Sequence, residues 1–133
     1  MANKPEDWCF LADRDLRAAE HLASTMRPVP VEIICFHCQQ AGEKYLKGFV
    51  TLKENKEPPY IHDVAQLCKL CEKYDSTFSG ILKLCSILTE FGIQPRYDRM
   101  MQLSEDDMHQ AVKCAQEVEV FIKTKMPETD EGM

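Results

Sequence analysis

The chain has 133 residues, enough for one domain whose core buries roughly two-thirds of the unfolded surface. It is 44% hydrophobic and 29% charged, which excludes intrinsic disorder and fibrous architectures. With 22 acidic against 16 basic residues the formal charge is −6, opposite to what a grip on duplex DNA or an anionic membrane requires.

Residues Met1 to Trp8 hold no apolar h-region, and no run approaches the roughly 20 apolar residues of a membrane span. Seven cysteines in a chain without a secretory signal are expected to be reduced thiols in the cytoplasm. Five glycines and seven prolines are too few for a turn-dense β protein, and they are expected between segments rather than within them.

A first helix is predicted from about Pro5 to Ser24, because Trp8, Leu11, Ala12, Leu16, Ala19, Leu22 and Ala23 recur at three- and four-residue steps. Arg27 to Val31 breaks it, since each proline disfavours helix at the residue before it. A long second helix follows to about Leu52, with Ile34, Cys35, Cys38, Ala41, Tyr45, Leu46 and Phe49 facing the core. After a loop over Asn55 to His62, Val64, Leu67, Cys68, Cys71 and Tyr74 mark a shorter helix that ends near Asp75. A fourth helix carries Phe78, Ile81, Leu82, Cys85, Leu88 and Phe91 and stops at Gly92. Ser104 to Asp107 then resembles a capping box, opening a last helix through Met108, Ala111, Ala115, Val118 and Ile122 to about Lys125. Residues 1–126 therefore form one helical domain, and 127–133 are expected to be a disordered acidic tail. Short loops between amphipathic helices imply an all-α, up-and-down antiparallel bundle.

Four patterns carry candidate chemistry. Cys35–Cys38 and Cys68–Cys71 are CxxC pairs, a spacing that can chelate zinc. Both pairs fall on the apolar face of a predicted helix, so packing as small hydrophobes outweighs metal binding, and no metal or cofactor is expected. On the second helix His37, Gln40, Lys44 and Lys47 follow at steps of three, four and three, on the side opposite the core stripe. Glu43 can pair with Lys47 at i,i+4. Two lysines, a histidine and an amide could hold a phosphate, or they could be an ordinary solvated face. Between the last two helices, Arg96 and Tyr97 could clamp a phosphate and stack a base, or form a plain surface turn.

These pieces resemble the HEPN-domain family. Trp8, Ala12, Asp15-Leu16 and Ala19 are similar to its first helix, and the run from Phe36 to Lys47 (FHCQQAGEKYLK) to its signature second helix. His62-Asp63 after a proline-bearing loop and Arg96-Tyr97 after the fourth helix follow in the family's order. Where the family has arginine-tyrosine-proline, this chain has Arg96-Tyr97-Asp98, with proline displaced to Pro95. The resemblance implies four main helices plus a shorter fifth, a homodimer, and nucleotide or RNA binding at His37, Gln40, Lys44, Lys47, Arg96 and Tyr97. It also implies a nucleotidyltransferase partner, as in toxin–antitoxin pairs.

Some members of the family are metal-independent ribonucleases, in which an arginine is followed by a histidine after four to six residues. Histidine would move the proton and arginine would neutralise the phosphate. Neither Arg96 nor Arg99 has such a histidine downstream. The only formal match, Arg14 to His21, lies in the first helix, where residues seven apart merely share a face. No catalytic residue is expected. The leading expectation is a binding module, the alternatives being a protein-interaction partner without a ligand and, disfavoured, a ribonuclease.

Overall fold

The structure, a computed structural model, describes residues 4–91 and 103–127. Among the described residues the regular elements are five α-helices and one 3-10 turn: α1 (Pro5–Thr25), α2 (Val31–Glu54), α3 (Val64–Glu72), the 3-10 turn Ser76–Ile81, α4 (Leu82–Thr89) and α5 (Glu105–Lys125). No strand occurs among the described residues.

Each boundary has a local cause. Pro5 opens α1, where a missing N–H costs nothing. The α1–α2 break carries a cis Arg27–Pro28 peptide. Asn55 ends α2 in the left-handed conformation (φ 54°). Asp63 caps α3 by accepting from the Gln66 N–H. The predicted capping box is present, with Ser104 Oγ accepting from Asp107 N–H and the Asp107 carboxylate accepting from Ser104 N–H. The fourth segment differs from expectation: instead of one helix from Phe78, a 3-10 turn precedes α4. Asp75 accepts from the Thr77 N–H and begins a tight turn through Ser79 and Gly80, both weak helix formers.

The core is built around α2, which is enclosed on most of its circumference. Tyr45, Leu46, Phe49 and Val50 are fully or almost fully buried, with Leu16 of α1, Leu67 of α3, Leu88 of α4 and Val118 and Ile122 of α5. Phe78 links Phe49 and Phe121 through ring contacts at 4.5 and 4.9 Å, each worth about 1 kcal/mol beyond area burial. Helix α1 runs antiparallel to both α2 and α5. Asp13 and Asp15 meet Tyr45 and Lys44 on one side, and Asp13 and Arg17 meet Lys123 and Glu119 on the other.

Two glycines depart from the expectation that they lie between segments. Gly42 and Gly48 sit inside α2, and a Cβ on Gly48 would lie 3.2 Å from the Pro5 carbonyl oxygen and 3.3 Å from Trp8 Cβ. Their absent side chains let α1 and α4 approach the central helix closely, which outweighs their poor helix propensity.

Candidate functional site

The polar side chains predicted on α2 divide into an outer group and a buried one. The outer group is at the α1–α2 seam, where Asp15 accepts from Lys44 Nζ at 2.6 Å and its other oxygen lies 3.0 Å from His37 Nδ1. Asp15 is positioned by α1, whose buried Ala12, Leu16 and Ala19 lock that helix onto α2. Facing a carboxylate, His37 carries its proton on Nδ1 and leaves Nε2 free. Both side chains keep some exposure, 31% for His37 and 24% for Lys44. Gln40, also half-buried, donates to Gln39 Oε1 at 2.7 Å.

The buried group corrects the sequence reading. Lys47 is not on a solvated face: the residue is 5% exposed, and Glu43 beside it is 4% exposed. The predicted i,i+4 pair does form, at 2.9 Å, but inside the bundle. Glu43 also accepts from Gln39 Nε2 at 3.2 Å and faces His62 Nδ1 at 3.1 Å, while Gln39 Nε2 donates to the His62 carbonyl at 3.0 Å. Lys47 Nζ lies 5.6 Å from the centre of the Trp8 ring. The first turn of α1 and the loop before α3 cover this stretch of α2, so a helix face that is polar in sequence becomes interior.

The structure therefore brings together His37, Gln40 and Lys44, and it commits Lys47 to an internal ion pair. Arg96 and Tyr97 lie outside the described residues. Arg14 and His21 are exposed on α1, and the Arg14 guanidinium lies 5.8 Å from the centre of the Phe10 ring. Sequence reasoning missed the Asp15 carboxylate that holds the outer group. The available signal was Asp15 flanking the buried stripe Ala12–Leu16–Ala19, but which cation it meets depends on how α1 docks.

The cysteines pack. Six of the seven are buried, and Cys9 is half-buried. Burial pushes the Cys35 thiol up to about 12 and the Cys9 thiol up to about 11, with nearby carboxylates adding to it. Cys38 and Cys71 are raised for the same leading reason, burial. Cys68 Sγ donates to the Phe78 carbonyl at 3.3 Å and Cys71 Sγ to the Leu46 carbonyl at 3.7 Å. Among the described residues no three His, Cys, Asp or Glu side chains are grouped to hold a metal ion. No described helix is long and apolar enough to cross a membrane.

Comparison with known proteins follows the same lines. The family model for the HEPN domain matches residues 5–125. A search of curated protein sequences gives no match. Among solved structures, ST0689, an archaeal HEPN homologue, superposes with a TM-score of 0.74 at 23% identity, covering 94% of this chain and 98% of that one. TT1696 from Thermus thermophilus superposes with a TM-score of 0.77 at 20% identity, covering 94% of this chain and 100% of that one. At these identities the structural likeness speaks for the fold, and the family match spans almost the whole chain. The chain belongs to the HEPN-domain family.

Proposed function

We propose that this chain is a nucleotide- or RNA-binding HEPN module that meets a phosphate at His37, Gln40 and Lys44 and works with a nucleotidyltransferase partner. The observation that carries the reading is the shared carboxylate at the α1–α2 seam. Asp15 takes one of the three N–H donors of Lys44 and one nitrogen of His37. The remaining ammonium donors and His37 Nε2 are left to converge on an outside acceptor, with the half-buried Gln40 amide next to them. Because Asp15 offsets the ammonium of Lys44, the pair contributes little net charge to the seam. Affinity then rests on directed hydrogen bonds and on the partner more than on bulk attraction. Arg96 and Tyr97 belong to the proposal through family resemblance alone, as does the homodimer.

Titration of fluorescent ATP and a short single-stranded RNA at low and moderate salt tests the proposal. Saturable binding that weakens with salt and is lost in Lys44→Ala supports the site, and failure to bind either ligand refutes it. Light scattering of the purified chain tests the homodimer, which a monomer mass at micromolar concentration would refute.

One observation favours a second reading, a protein-interaction partner with no ligand of its own. Both lysines of the strip are already paired, Lys44 with Asp15 and Lys47 with Glu43. Stable co-elution with a co-expressed nucleotidyltransferase, in a protein that binds neither ATP nor RNA, would select it.

A further inference from the structure

The first turn of α1 covers the middle of α2 and leaves polar groups without partners beneath it. Trp8 Nε1 is shut off from solvent and makes no hydrogen bond. Thr51 Oγ1 is in the same condition, one turn beyond Lys47 on the same side of α2. The buried Lys47 ammonium has three N–H donors, and among the described residues its one hydrogen bond goes to Glu43 at 2.9 Å. Its other near neighbour is the face of the Trp8 ring, 5.6 Å away at the centre.

Little holds this turn from its own side. Lys4, at the N-cap, offers no side-chain acceptor to the free N–H groups of the helix end. The Trp8 N–H reaches the Lys4 carbonyl at 3.4 Å, long for such a bond. The turn is held instead by contact with the α2 backbone. A Cβ on Gly48 would lie 3.2 Å from the Pro5 carbonyl oxygen and 3.3 Å from both Trp8 Cβ and Cys9 Sγ. The rest of α1 is fixed independently. Ala12, Leu16 and Ala19 are fully buried, and Asp13, Asp15 and Arg17 are paired with α2 or α5.

We propose that Pro5–Trp8 is a latch, which opens as a unit while the bundle stays folded and controls whether the Glu43–Lys47 pair meets water. Closed, it buries part of the indole and leaves the polar atoms named above unpaired. Open, it gives up that burial and one turn of helix, while the indole N–H, the Thr51 hydroxyl and the Lys47 ammonium regain hydrogen bonds to water. Because these gains oppose the losses, opening takes less free energy than global unfolding. The contact is autoinhibitory in form: the chain's own Trp8 lies on the Gly48 surface and withholds Lys47. Closed, α2 presents Lys44 alone at this seam; open, it presents Lys44 and Lys47. The inference does not depend on the phosphate site proposed above.

Trp8 is the only tryptophan, so its indole proton gives a single signal in a nitrogen–proton correlation spectrum of the full chain. Its protection from exchange with water is expected to be roughly a hundredfold below that of the Tyr45 and Leu46 amides in the core, and nearly independent of urea below the unfolding transition. Acylation of Lys47 by a small amine-reactive ester, located by peptide mass, reads the same opening, with the exposed Lys56 as reference. Gly48→Ala sets a methyl against the turn and leaves Trp8 and Lys47 in place. It is expected to speed indole exchange and Lys47 acylation roughly tenfold, with Lys56 and the helical circular dichroism unchanged. Trp8→Ala, read by acylation alone, is expected to speed Lys47 at least as much. An indole proton in the parent as protected as the core amides means that the turn opens only with the whole bundle, which overturns the inference. Gly48→Ala that lowers the melting temperature and leaves both rates unchanged overturns it too. Fast indole exchange with Lys47 acylation unmoved by either variant refutes control of the pair by this turn.

Discussion

Replacing Lys47 with methionine removes an ammonium whose side chain is 7% exposed and leaves the 6%-exposed Glu43 carboxylate facing it without its cation. Methionine keeps the length of the stem, so packing over Trp8 changes little and the loss is mainly electrostatic. Breaking a buried pair from one side costs about 3–5 kcal/mol. Glu43 retains Gln39 as a donor and His62 as a neighbour, which places this variant at the lower end, about 3 kcal/mol. For a domain of this size that lowers the melting temperature by roughly 10 °C. Urea unfolding followed by circular dichroism and by Trp8 fluorescence reads the change, since Trp8 is the only tryptophan and lies under Lys47. The double variant Glu43→Gln/Lys47→Met removes both charges and keeps an acceptor for Gln39. It should recover most of the loss. If Lys47→Met unfolds within about 0.5 kcal/mol of the parent, the pair is solvated and the burial argument is wrong.

Four further outcomes are expected. Asp15→Asn removes the anion that competes for Lys44 and His37, so ATP should bind several-fold tighter in isothermal titration, and weaker binding would count against a phosphate site there. Hydrogen bonds from Thr77, then Lys125, hold the Asp75 carboxyl at about 2, below its ordinary value. A carboxyl held low in the folded state stabilises above the unfolded value of about 3.9, and that contribution fades as pH falls toward 2. Asp75→Asn should therefore flatten the pH dependence of the melting temperature in that window, and an unchanged profile would show that the contacts do not persist in solution. The buried thiols should resist iodoacetamide at pH 8 in the native state and react in denaturant, as counted by intact mass. A chelator should leave the melting temperature unchanged, and a drop would return zinc to the CxxC pairs.

The helices and most of their core faces were legible in the sequence because local causes set them. Apolar residues at three- and four-residue steps, Pro5, Asp63 and the Ser104–Asp107 box act within a turn or two of the chain. Where local preference was weak, as at Ser79-Gly80, the 3-10 turn before α4 escaped it. The site was legible only in part. The i,i+4 pairing of Glu43 with Lys47 could be read from spacing, but its burial could not. Lysine and glutamate look the same in sequence on a solvated face as under a neighbouring helix. The docking of α1 through Gly48, and of the 55–63 loop through His62, decided which cations turned inward and which stayed at the surface. It also decided that Asp15, distant in sequence, would hold Lys44 and His37 together. Periodicity within the chain determined the bundle, and long-range contact between helices determined its polar seam, because the energy of a charge depends on the neighbours that replace its water.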